Sequence, residues 1–271
     1  MVRQMLYPLS SDLRLARELA DIADAISLPR FRAQDFSVSV KDDRTHVTEA
    51  DRAVEEAIAA KLAEARPGDG IYGEEFGVSG SGSRQWIVDP IDGTANFMRG
   101  IPVWATLVAL VVDEVPEVGV VSAPALSRRW WGATGLGAYV DEEPGNGDTA
   151  TERRIQVSGV AELGDASLIY NNLKQWDEAG RLEQLVDLSR SVWRTRAVGE
   201  AWAYMLVAEG AADVAGEFDL KPYDVAAIEP IVREAGGRFT SADGESGPWH
   251  GSALATNGAL HDQVLDIVAA R

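Results

Sequence analysis

Asp89 and Asp92 stand three residues apart at the end of an apolar run, within the stretch WIVDPIDGTANFMRGIP over residues 86–102. Two carboxylates held this close repel unless a proton or a cation lies between them. Oxygen ligands without nitrogen or sulfur suit a hard cation such as Mg2+. Asp-Gly pairs also serve as plain turn and helix-cap residues, so DPIDG by itself admits both readings. Gly93-Thr94-Ala95-Asn96 follows and can open a helical turn, whose exposed backbone N–H groups attract an anion. A cation site and an anion site in one loop would together suit a phosphate ester bridged to metal. The Thr94 hydroxyl would then be placed to orient an attacking water.

Other carboxylates could converge on the same point. Glu74 and Glu75 follow Ile71-Tyr72-Gly73, although a doubled glutamate is more often a solvated surface pair. Asp224 opens a helix after Pro222-Tyr223, an ordinary place for an N-cap. Asp51 falls in the first turn of its helix, where the macrodipole alone favours an acid. Competing chemistries find no support. His46, His250 and His261 are too scattered for a zinc site, and the chain has no cysteine for a thiolate site, a disulfide or a nucleophile. GxxxxGK[ST], GxGxxG, HExxH and GxSxG are all absent.

The elements that must hold these residues alternate between helical and strand patterns, which predicts an α/β or α+β architecture. Ser10-Ser11-Asp12 predicts the cap of a helix ending near Leu28, before Pro29. Residues 36–40 alternate like a short strand. Thr48 predicts the start of a helix that ends near Ala65. Residues 78–84 (VSGSGSR) read as a flexible loop. Residues 85–88, 103–112, 117–122 and 128–133 read as buried strands. The acidic run 141–152 marks a boundary between two halves, 1–145 and 146–271, forming one structural unit. Beyond it, 154–157, 167–170 and 213–215 read as strands. Helices are expected over 182–191, 199–209, 224–235 with a kink at Pro230, and 261–270.

Composition narrows the function classes. The 271 residues are 46% hydrophobic, enough for one large core. A net charge of −18 repels nucleic acid phosphates and anionic membranes, so an anionic substrate would need metal ions to bring it in. The N-terminus lacks an apolar signal core and no segment reaches the roughly 20 apolar residues of a membrane span. The expectation is a soluble cytoplasmic protein without nucleic acid or membrane partners, and the lack of cysteine fits a reducing compartment.

Four ordered stretches, VTEADRAVE (47–55), GEEFG (73–77), WIVDPIDGTANF (86–97) and YDVAAIEPIVREAGG (223–237), resemble the signatures of the inositol monophosphatase-like superfamily. The resemblance spans nearly the whole chain. It implies a layered α-β-α-β-α sandwich of the inositol monophosphatase and fructose-bisphosphatase type, often dimeric. It also implies two or three Mg2+ ions, with Mn2+ as a substitute. Carried over by position, Glu74, Asp89, Asp92, Asp224 and the Ile91 carbonyl become metal ligands. Gly93 and Thr94 become the phosphate site. Thr94 with Asp51, and Glu74, become the catalytic groups, while Glu75 is left without a fixed role.

Within the superfamily, RGIPVWATLVAL (99–110), VSAPALSRRWWGA (121–133) and VAEGAADVAGEFD (207–219) resemble the actinobacterial histidinol-phosphate phosphatases. Tyr223 stands where the family usually has tryptophan, and Ala95 where many inositol phosphatases have a second threonine. The implied activity is hydrolysis of L-histidinol phosphate in histidine biosynthesis. An inositol or broad-specificity sugar phosphatase is the alternative, and a non-catalytic phosphate-binding protein a remoter one. Asn96, Arg99, Trp104, Glu200 and Glu217 are the expected contacts to the alcohol.

Overall fold

The structure is a computed structural model that describes residues 7–40, 46–144 and 151–269. In chain order its elements are α1 (Leu9–Ala33), β1 (Val38–Val40), β2 (His46–Thr48), α2 (Glu49–Ala65), β3 (Gly70–Gly73), β4 (Gly77–Ser79), β5 (Arg84–Asp92), α3 (Thr94–Met98), β6 (Ala105–Val112), β7 (Val115–Ala123), β8 (Arg128–Ala133), β9 (Gly137–Asp141) and β10 (Glu152–Arg154). There follow β11 (Ser167–Tyr170), α4 (Leu173–Glu178), α5 (Leu182–Ser191), β12 (Arg194–Ala197), α6 (Glu200–Ala208), β13 (Val214–Phe218), α7 (Pro222–Val225), α8 (Ile228–Glu234), β14 (Arg238–Thr240), β15 (Ser252–Thr256) and α9 (His261–Val268).

Two main sheets result. One has eight strands in the order β10-β9-β8-β7-β6-β5-β3-β4, and the other has five in the order β12-β11-β13-β15-β14. Alternation along the strands sorts side chains into layers. In β6, Val108, Leu110 and Val112 face α1 and α2, packing on Leu15, Leu19, Val54 and Ile58. Leu107, Ala109 and Val111 face the other way, onto α6 and α8 through Tyr204, Met205, Ile228 and Ile231. The second sheet covers the far side of those helices with Ala215 and Ala255. Its outer face packs on α5 and α9 through Leu168, Val214, Leu185 and Val264. The order of layers is therefore α-β-α-β-α, as the family resemblance implies.

Several local expectations are corrected. α1 begins at Leu9 and runs through Pro29 to Ala33. Asp12 does not cap it; its carboxylate is buried and accepts from Arg66 and Arg84, each at 3.0 Å. Near Pro29 the Ala23 and Ile26 carbonyls accept from the Ser27 and Arg30 side chains. Phe31, two residues on, packs on Phe97 and Trp104. Within 78–84, residues 78 and 79 belong to the edge strand β4, paired with β3. The helix expected over 224–235 breaks at Ala226-Ala227 instead of kinking at Pro230. Pro230 then lies in the first turn of α8, where a missing N–H costs little. Strand β10 starts at the end of the acidic run yet pairs with β9 in the first sheet; residues 145–150 of that run fall outside the described residues. No described helix is long and apolar enough to cross a membrane.

Candidate active site

The carboxylates meet where β5 ends, between the two sheets. In an unbroken strand Asp89 and Asp92 would point to opposite faces. The register instead shifts, Asp89 pairing with Leu107 and Asp92 with Ala105, so three steps on β5 match two on β6. Pro90 cannot donate to the ladder, and its carbonyl accepts from the Thr106 hydroxyl at 2.8 Å. This bulge turns both carboxylates toward one space.

Each further group reaches that space from a different element. Thr48 caps α2 reciprocally: its backbone N–H (2.8 Å) and hydroxyl (2.5 Å) both donate to Asp51 Oδ2. This leaves Asp51 Oδ1 for the Thr94 hydroxyl at 3.3 Å, and that hydroxyl also lies 3.1 Å from the Ile91 carbonyl. Glu74 is held just past β3 by its N–H bond to the Val88 carbonyl. Asp224 lies in α7 and accepts from the Lys221 N–H at 2.6 Å. Asp92 Oδ2 accepts from Ala201 N–H at the start of α6, where the helix dipole favours an acid.

Crowding of like charge is written into the acidities. Burial, then Glu74, Asp92, Asp224 and Asp51, hold the Asp89 carboxyl well above the usual range. Burial, with Glu200 next, does the same to Asp92. Burial and Glu74 push Asp224 up to about 7, and burial with Glu74 and Glu75 brings Asp51 to about 6. Asp89 Oδ1 is buried without a hydrogen-bond partner. An orphaned carboxylate oxygen ringed by other carboxylates fits a hard divalent cation, which would satisfy the oxygen and offset the repulsion. Among the described residues no three such side chains are gathered at ligand distance.

Beside this cluster lies a cavity of about 180 Å3, lined by Asp92, Asn171, Gln175, Glu200, Ala201, Tyr204, Glu217, Asp219, Leu220 and Asp224. Glu217 is buried and both its oxygens are fixed, one by the Asn171 amide and one by the Tyr204 hydroxyl. Burial, opposed by the Asn171 hydrogen bond, leaves its carboxyl at about 8. Glu200 takes φ 58, a left-handed conformation rare outside glycine. Asn96 holds it there, donating to Oε1 at 2.8 Å. Gly93 opposite, itself at φ 87, has no room for a side chain: a Cβ would lie 2.9 Å from Glu200 Cγ.

Residues 9–270 match the inositol monophosphatase family. The chain belongs to that family. It is thus an enzyme of a metal-dependent phosphatase family acting on small phosphorylated substrates. It is 54% identical to the histidinol-phosphatase of Mycobacterium tuberculosis over 255 residues, covering 94% of this chain and 96% of that protein. It is 52% identical to the histidinol-phosphatase of Streptomyces coelicolor over 258 residues, covering 94% and 95%. Among solved structures, an inositol monophosphatase from Zymomonas mobilis superposes with a TM-score of 0.83 at 31% identity, covering 97% of this chain and all of that one.

The expected residues separate into groups. Asp51, Glu74, Asp89, Asp92, Thr94 and Asp224 come together, with Ile91 near the end of β5 and Gly93 just beyond it. Glu200 and Glu217 line the cavity, and Asn96 reaches it through Glu200. Arg99 is exposed at the end of α3 and does not line the cavity. Trp104 is buried in a cluster with Phe97 and Phe31 and does not line the cavity. Sequence reasoning passed over Asn171, Gln175, Tyr204 and Asp219, whose types are ordinary. It also passed over Glu55, although its four-residue spacing from Asp51 places both on one face of α2.

Proposed function

We propose that this chain hydrolyses a phosphomonoester whose alcohol is cationic, best matched by L-histidinol phosphate. The observation that carries this is the cavity beside Asp92. Five carboxyl groups line it, those of Asp92, Glu200, Glu217, Asp219 and Asp224, with no lysine or arginine among its lining residues. A neutral polyol can offer these acids hydroxyl donors but no compensating charge. An alcohol with an ammonium and an imidazole gains charge-assisted hydrogen bonds. The identities above 50% to two histidinol-phosphatases support the same reading.

In this reading Glu74, Asp89, Asp92, Asp224 and the Ile91 carbonyl would hold two or three Mg2+ ions, or Mn2+ in their place. Bound there, such ions would offset the charge of the phosphate and make an attacking water more acidic. Gly93 and Thr94 present backbone N–H groups to the phosphate at the head of α3. Asp51 keeps the Thr94 hydroxyl pointed at the reacting centre, and its acidity near 6 suits proton exchange with water. Glu217, held by Asn171 and Tyr204, receives the substrate cation, and Glu200 flanks the alcohol. The two halves act as one unit, in a cytoplasmic homodimer.

A side-by-side turnover assay tests this. With Mg2+, kcat/KM for L-histidinol phosphate should exceed that for inositol 1-phosphate and fructose 1,6-bisphosphate by at least about 10-fold, the effect of one well-placed polar contact. Chelation should abolish all three activities. A preference for either neutral ester would overturn the substrate assignment, and turnover unaffected by chelator would overturn the metal assignment.

A further inference from the structure

Glu55 takes no part in the reading above, yet it is buried deep against the loop that carries Glu74. Its Oε2 accepts from the Glu75 N–H at 2.8 Å and its Oε1 from the Phe76 N–H at 2.9 Å. On the other side of Glu74, Gly73 is fixed in β3 opposite Val88. Gly73 also presses on the same carboxylate: a Cβ there would fall 1.7 Å from Glu55 Oε1. Backbone on both sides of Glu74 is thus tied down, and one side chain of α2 does the tying. Asp51, one turn earlier on that helix, holds Thr94. A single rigid helix therefore sets the separation between the Thr94 hydroxyl and the Glu74 carboxylate.

We propose that Glu55 is a positioning residue, whose carboxylate clamps the 75–76 backbone so that Glu74 is presented to the metal at a fixed distance from Asp51 and Thr94. The proposal rests on the reading of Glu74 as a metal ligand. Gly73 is required because any side chain there would displace the clamp.

Mn2+ affinity of the metal-free protein, measured by electron paramagnetic resonance, tests this in a double-mutant cycle. Glu55→Gln keeps the shape but turns an N–H donor toward an N–H donor. It should weaken Mn2+ binding by about 10- to 100-fold, as loss of a ligand's outer support does. In a Glu74→Ala background the same change should have almost no further effect, because nothing is left to position. Gly73→Ala, which evicts Glu55 while sparing its charge, should reproduce the loss. An equal loss in both backgrounds would make Glu55 a merely structural residue and overturn the proposal, as would unchanged affinity in Glu55→Gln. Unchanged affinity in Glu74→Ala would overturn the ligand reading as well. Amide exchange of the unaltered protein gives a reading without any variant. The Glu75 and Phe76 amides should exchange slowly although the Phe76 side chain is exposed, and rapid exchange would refute the clamp.

Discussion

Replacing Glu217 by glutamine removes one negative charge from the cavity and leaves its shape. The amide oxygen can still accept from Asn171, and its NH2 can donate to the Tyr204 oxygen, so the network survives with the tyrosine proton turned away. At a separation of about 4 Å and an effective dielectric of about 20, the charge pair with a substrate ammonium amounts to some 4 kcal/mol before desolvation. Hydrogen bonds to charged groups retain about 1.5–3 kcal/mol net. The expected loss in kcat/KM for L-histidinol phosphate is therefore about 10- to 150-fold, with less than about 3-fold for inositol 1-phosphate. The acidity of Glu217, about 8, adds a signature. Near pH 7 the group must give up a proton to receive the cation, which costs about 1.4 kcal/mol per unit of difference. The ratio of wild-type to variant kcat/KM should therefore grow from about pH 6.5 to about 8.5. Steady-state kinetics on both esters across that range is the assay. Equal losses on the two esters, or a ratio that shrinks as pH rises, would refute the reasoning.

Asp89→Asn should reduce turnover by at least about 10²-fold, beyond the loss that follows removal of a ligand's outer support. In chelator at pH 8 the same variant should melt roughly 3 °C or more above wild type, because burial and neighbouring carboxylates oppose ionisation of Asp89 and an amide escapes that cost; a lower melting temperature would contradict this. Folded-state acidities near 6 for Asp51, 7 for Asp224 and Glu229 and 8 for Glu217 lie above their unfolded values. The folded state then binds more protons than the unfolded one between pH 4 and 8, so stability in chelator is lost as pH rises through that window. Calorimetry should show that decline in chelator and its suppression by Mg2+; a rise with pH would count against the assigned acidities. Gly119→Ala would place a Cβ 2.0 Å from the Ala227 carbonyl, at the joint between α7 and α8. It should cost about 1–3 kcal/mol of stability, read by chemical denaturation, and a neutral result would show that the joint can yield.

Much of this site was legible because local chemistry and tertiary role coincide. The Thr48 capping box that starts α2 is the same contact that orients Asp51. The Pro90 and Gly93 that interrupt β5 are the residues that let the bulge and α3 form. What was illegible depends on partners distant in the chain. Asn171 and Tyr204 matter only because β11, α6 and β13 bring them to Glu217. Trp104 has the look of a ligand-binding aromatic, but Phe31 and Phe97 enclose it. By residue type alone Pro29 reads as a helix stop and Pro230 as a kink. Packing of Phe31 and a first-turn position overrode those rules. Strands β9, β14 and β15 escaped notice because GAYVD, RFT and SALAT are short and poor in β-branched residues.

The order of strands in the first sheet bears on how the molecule assembles. From β5 to β10 every strand pairs with its successor in the chain, so hairpins of short sequence separation can build most of that sheet quickly. Asp51, Asp89 and Asp224, by contrast, are far apart in the chain and meet only when α2 and α7 dock. The repulsion among them weighs on the finished molecule and hardly on the route to it. A divalent cation should then act on lifetime, slowing escape from the native state while leaving the speed of its formation nearly unchanged. In stopped-flow kinetics Mg2+ would shift the unfolding limb alone, and a shift confined to the folding limb would place convergence of the carboxylates early.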